Sequence, residues 1–128
     1  MTHIVLPDAL VWEAGIEYGL EAVAALAAET KVNCAVRDDG PMLEAIAFAV
    51  HQLALGGVVR FTDDPCAAGP VDVVLAPRLA PLGPLSQPSS ARLVTSDPML
   101  LPPDTLPVPK RDAAALTAAL RDVLTNRG

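Results

Sequence analysis

Between His3 and Phe61 the apolar residues alternate between short continuous runs, the pattern of buried strands, and a recurrence every three to four positions, the pattern of helices. Few architectures satisfy that alternation other than a parallel sheet with helices packed on it, because each parallel crossover needs a helix-length connection. His3–Leu6 is an apolar run closed by Pro7, a predicted first strand. From Gly15 onward Ile16, Leu20, Val23 and Ala27 fall on one helical stripe, with Glu17 and Glu21 on the wet side. Val32–Val36 is a second strand, and Asp38, Asp39, Gly40 and Pro41 form a turn that puts Pro41 at the first position of a helix. Leu43, Ile46, Val50 and Leu53 stripe that helix, Gly56 and Gly57 are expected to stop it, and Val58–Phe61 is a third strand.

The second half reads differently. Val71–Leu75, interrupted only by Asp72, and Arg92–Thr95 are the fourth and fifth predicted strands, and Asp112 caps a last helix with Leu116, Leu120 and Val123 inward. Eleven of the thirteen prolines fall from Pro65 to Pro109, in passages such as "APRLAPLGPLSQPSS" and "DPMLLPPDTLPVP". Proline removes a backbone donor and blocks helix interiors, so the region of about 77–109 is expected to be irregular and ordered rather than helical. No repeat or linker divides the chain, and residues 1–128 read as one domain. The predicted fold is α/β: a three-layer, Rossmann-like domain with a mainly parallel sheet of about five strands and helices on both faces.

Composition narrows the function classes. Hydrophobic residues make up 52% of the chain, mostly Ala and Leu, and the formal charge of −6 with a pI near 4.6 argues against nucleic acid and anionic membranes as partners. The apolar stretch Ala45–Val50 falls far short of the roughly 20 residues a membrane span needs, and no basic n-region with an apolar h-region opens the chain. Two cysteines in different settings, Cys34 and Cys66, fit a reducing cytoplasm, which is the expected location.

Taken in order, "ALVWEAGIEYGLEAVAAL", "RDDGPMLEAI", "VVRFTDD", "VDVVLAP" and "KRDAAALTAALRDVL" resemble the C-terminal domain of GT-B glycosyltransferases of the GT4 type. The resemblance is good over residues 8–63, fair over 71–77 and from Arg111 onward, and poor over 78–109. It implies a Rossmann-like nucleotide-sugar-binding half that, in an active enzyme, transfers a hexose in concert with an acceptor-binding half. For that half 128 residues leave no room.

The implied donor site is largely missing. A departing nucleoside diphosphate needs its charge stabilised, and the family supplies an arginine and a lysine. Those positions fall on Ala9 and Ala14. Of the family's Gly-Asp-Gly-Pro turn, Asp39, Gly40 and Pro41 match, but Asp38 replaces the first glycine and Asp63 replaces the glycine after the third strand. The Glu-x7-Glu segment that holds sugar and ribose has no counterpart, since no glutamate follows Glu44 and Arg78 takes the usual serine position. Asp39, Gly40 and Pro41 are therefore what remains of a nucleotide-sugar cleft; no catalytic residue, cofactor or metal ligand is assigned. The expected role is a binding or protein-interaction module, catalytically inactive alone, whose partner is a second copy or a glycosyltransferase. The alternative is a nucleotide-sugar-binding subunit that needs an acceptor-domain partner, and a weaker third reading is an unrelated small Rossmann-like or flavodoxin-like domain with another ligand.

The remaining reactive side chains read more plainly. His51 and Glu44 share a solvated helix face, and no His, Cys and carboxylate spacing suggests zinc. Cys34 behaves as a small buried apolar residue, and Cys66 lacks an activating neighbour. Ser86, Ser89 and Ser90 lack a nucleophile elbow. Trp12 is expected to pack rather than to serve as a ligand platform, and Arg78 and Arg92, which flank the proline-rich loop, read as isolated surface arginines rather than as an anion-binding pair.

Overall fold

The computed structural model describes residues 1–85, 87–88 and 90–125. Five strands, β1 (Thr2–Leu6), β2 (Val32–Arg37), β3 (Val59–Thr62), β4 (Val73–Ala76) and β5 (Arg92–Thr95), form one all-parallel sheet in the order β3-β2-β1-β4-β5. Among the described residues three α-helices accompany it: α1 (Ile16–Ala27), α2 (Leu43–Gln52) and α3 (Ala113–Thr125). This is the Rossmann-like α/β arrangement, with the strand order reversing between β1 and β4.

Strand alternation sorts the core into two unequal layers. Ile4, Leu6, Cys34, Val36, Val73 and Leu75 face Ile16, Leu20, Val23 and Leu26 of α1, Ile46 and Val50 of α2, and Leu116 and Leu120 of α3. Val5, Ala35 and Val74 face the other way, onto Cys66, Val71, Leu85, Ala91 and Leu93. The helices thus share one face, where the sequence led us to expect them on both. Handedness explains why. The β1–α1–β2 and β2–α2–β3 crossovers run in one direction and lay their helices on one side; the connections into β4 and β5 run the opposite way and must cross the other side. There the chain carries Pro65, Pro70, Pro77, Pro81, Pro84 and Pro88, which exclude helix. The last helix, α3, returns to the first face and packs on α1.

Local details depart from the sequence pattern in three places. Helix α2 starts at Leu43 with Met42 as its cap, so Pro41 sits in the turn before it rather than at its first position. It also ends before the two glycines: Ala54 adopts a left-handed φ of 56°, with Ala54 N–H donating to His51 (3.1 Å) and Leu55 N–H to Val50 (2.9 Å). That pair of bonds is a Schellman termination with alanine where glycine is favoured. Finally, β4 begins at Val73, and Asp72 just before it accepts the His3 N–H on its carboxylate (2.8 Å). As expected, Asp112 caps α3, its carboxylate accepting from the Ala115 N–H at 2.9 Å. Among the described residues between 77 and 109 the only regular elements are β5 and a single turn of 3-10 helix at Pro98–Leu100. No helix is long and apolar enough to cross a membrane among the described residues.

Candidate functional site

In an open parallel α/β sheet, ligands sit outside the carboxyl ends of the strands, where the strand order reverses. Here that place is built by three side chains, each two residues beyond a strand: Asp8 after β1, Arg78 after β4 and Asp97 after β5. The register pairs Ala76 with Thr95, which brings Arg78 and Asp97 out of the sheet side by side. Arg78 is 1% exposed. Its Nε and one terminal nitrogen donate to the two Asp8 oxygens, both at 2.8 Å. The other nitrogen donates to the Gly83 carbonyl at 2.7 Å and to Asp97 at 3.1 Å. Asp97 in turn accepts from the Met99 N–H at 2.9 Å, and its own N–H donates to the Thr95 hydroxyl, which donates to the Ala76 carbonyl. Donation to the Asp8 carboxylate raises the Arg78 pKa above the ordinary guanidinium value, so the group stays charged.

Arg78 is therefore not a surface cation, and it is not paired in space with Arg92. The latter opens β5, at the amino end of the sheet, while Arg78 follows the carboxyl end of β4.

The turns after the strands are clasped together by backbone contacts. Leu10 N–H donates to Asp39 O (2.9 Å), Met42 N–H to Leu10 O (3.0 Å), and Leu79 N–H to Glu13 O (2.7 Å). Gly40 has φ 132°, and a Cβ there would stand 2.5 Å from the Leu10 carbonyl oxygen. Gly15, at φ 63°, would place a Cβ 2.0 Å from Pro77 O. Both glycines are demanded by loop-on-loop contact, with no ligand needed to explain them. Of the three residues expected to remain from a nucleotide-sugar cleft, Asp39 thus works through its carbonyl on Leu10 and through its carboxylate, which takes a two-pronged bond from Arg37 at 2.7 Å. Gly40 provides the close approach, and Pro41 is exposed.

Beside this clasp lies a cleft of about 360 Å³ lined by Pro7, Asp8, Ala9, Arg37, Leu82 and Leu85. Of the two positions where the resemblance would put cations, Ala9 lines this cleft and Ala14 is wholly buried. Both nearby cations are already neutralised: Arg78 by two carboxylates, and Arg37 by Asp39 with Asp38 adjacent. An added anion close to an uncompensated carboxylate is repelled by about 4 kcal/mol per charge pair at 4 Å and an effective dielectric of ~20. The cleft is thus poorly suited to a diphosphate.

Elsewhere, Trp12 is 57% exposed with the Arg111 guanidinium 5.3 Å from its ring centroid, so it does not pack into the core. His51 and Glu44 are exposed on α2. Burial pushes the Cys34 thiol up to about 12, and partial burial, with Asp64 adding to it, raises Cys66. Ser90 lies in an exposed turn, while Ser86 and Ser89 lie outside the described residues. Sequence reasoning missed Asp8, Arg37 and Asp97; the only local signal was a lone arginine in the mainly apolar first half of the proline-rich loop. No protein-family model matches the chain, and no curated protein matches it.

Proposed function

We propose that this chain is a glycosyltransferase-like half-domain that acts as a protein-interaction module rather than as a transferase. The reading rests chiefly on Arg78. Where a donor diphosphate would need free positive charge, the only buried cation among the described residues is consumed by Asp8 and Asp97. A second feature supports it. Four of the seven exposed large apolar side chains among the described residues, Trp12, Leu82, Met99 and Leu106, lie in the connections that follow the carboxyl ends of strands, outside the three helices. Apolar side chains held in water on one edge favour a protein partner. A second copy is the simplest such partner, and a glycosyltransferase is the other.

The alternative, a nucleotide-sugar-binding subunit completed in trans, is favoured by the cleft beside Arg37 and Asp39. Calorimetry with UDP- and GDP-sugars separates the two readings. Silence at millimolar ligand, together with self-association in sedimentation that Trp12→Ser and Leu106→Ser weaken, is expected. Saturable heat from a nucleotide sugar, with a strict monomer in sedimentation, would overturn the interaction module in favour of the alternative.

A further inference from the structure

We infer that the groove between α1 and α2 receives an amphipathic helix of a different protein, one that flanks its apolar stripe with lysine or arginine. The groove measures about 360 Å³, and Ala45, Phe48 and Ala49 of α2, with Leu53 at its C-cap and Gln52 beside it, form the wall that faces Glu17 and Glu21 of α1. Ile46 and Val50 already commit the inward face of α2 to the core, so Ala45, Phe48 and Ala49, spaced at i, i+3 and i+4, form a second stripe, with Ala45 and Phe48 exposed and Ala49 half-buried where the stripe meets the core. Phe48 is 63% exposed in a chain with only two phenylalanines, one tryptophan and one tyrosine. The alanines on either side of it are small enough for another backbone to come close, and residues 45–53 give about two helical turns of contact, roughly 12 Å.

Charge decides the occupant. Over α1 and α2 the full charges are Glu17, Glu21 and Glu44, with no lysine or arginine, and no ion pair among the described residues reaches Glu17 or Glu21. An entering helix with basic flanks meets both carboxylates beside the apolar wall. A second copy does not fit: a two-fold contact would set Glu17 and Glu21 against themselves, and the one arginine on α3, Arg121, is held by Glu29. This surface extends the interaction-module reading from the carboxyl edge to the helical face, and a variant at each surface tells the two apart.

The test is an amide-resolved NMR titration of the full chain at about 0.15 M salt with two designed helical peptides sharing one leucine stripe. One is flanked by lysine and the other by glutamate. The lysine peptide is expected to shift the amides of Ala45, Phe48, Ala49 and Leu53 saturably, and the glutamate peptide to leave them in place. Phe48→Asp, and separately Glu17→Lys with Glu21→Lys, should weaken binding about tenfold or more, while Trp12→Ser leaves it unchanged. All these positions are exposed, and thermal melts check that each variant folds. The inference is overturned by no binding of the lysine peptide, by shifts that survive Phe48→Asp, by equal binding of the glutamate peptide, or by loss of binding in Trp12→Ser. It is also overturned if Phe48→Asp abolishes self-association, which would make the occupant a second copy. Loss of self-association in Trp12→Ser with peptide binding intact leaves this inference standing and speaks only to the edge.

Discussion

The Arg78 guanidinium ties together the ends of β1, β4 and β5 through Asp8 and Asp97. Removing one member of a buried ion cluster leaves uncompensated charge, which costs about 3–5 kcal/mol, whereas replacing the whole cluster by neutral groups of similar size is often close to neutral. Arg78→Met is therefore expected to lower stability by about that amount in urea denaturation, since Asp8 and Asp97 stay behind. The triple change Asp8→Asn, Arg78→Met, Asp97→Asn should recover most of the loss. Cys34 makes a separate prediction. Its thiol ionises at about 12 in the fold against 9.0 for an unperturbed thiol. The raised folded pKa means a stabilising contribution that is complete below pH 9 and is lost as pH climbs toward 12, because only the unfolded chain ionises in that window. Stability should fall across that range, and Cys34→Val should flatten the fall. Neither Asp8 nor Asp97 was legible as a site residue, since they meet Arg78 from 70 and 19 residues away.

Helices reveal themselves through periodicity, which explains why their stripes were readable and their ends less so. Ile16, Leu20 and Val23, then Ile46 and Val50, then Leu116 and Leu120, are buried as their spacing required, whereas Leu43, on the same stripe of α2, is exposed at the helix start. The end of α2 was not readable, because the glycines at 56 and 57 are the usual stop signal, yet Leu55 must reach the core and pulls the termination forward onto Ala54. Alanine in a left-handed position is strained by roughly 1 kcal/mol, a strain glycine avoids. Ala54→Gly should accordingly raise stability by about 0.5–1 kcal/mol, less the added freedom of the unfolded chain, measurable as an upward shift in melting temperature. The pairing of Arg121 with Glu29 across α3 and the end of α1 lies in solvent, so Arg121→Ala should change little.

For the molecule as a whole, the consequence of placing all three helices on one face is uneven protection. β1 lies mid-sheet, with β2 and β4 on its two sides, whereas β3 and β5 are edges. Hydrogen exchange should therefore find the amides of Ile4 and Leu6 opening only with global unfolding, and those of β3 and β5 opening earlier. Equal rates across the five strands would mean that the edge strands are held as firmly as the central one. The order of strands and helices, the parallel pairing it requires and the irregular course after Pro77 were all decided locally, by apolar period and by proline, and the sequence by itself determined them. Only the tertiary structure decided what fills the crevice. The direction of each crossover chose which face lacked helices, and the strand register brought Asp8, Arg78 and Asp97 together. Both are relations between segments far apart in the chain, and no local pattern of residues encodes them.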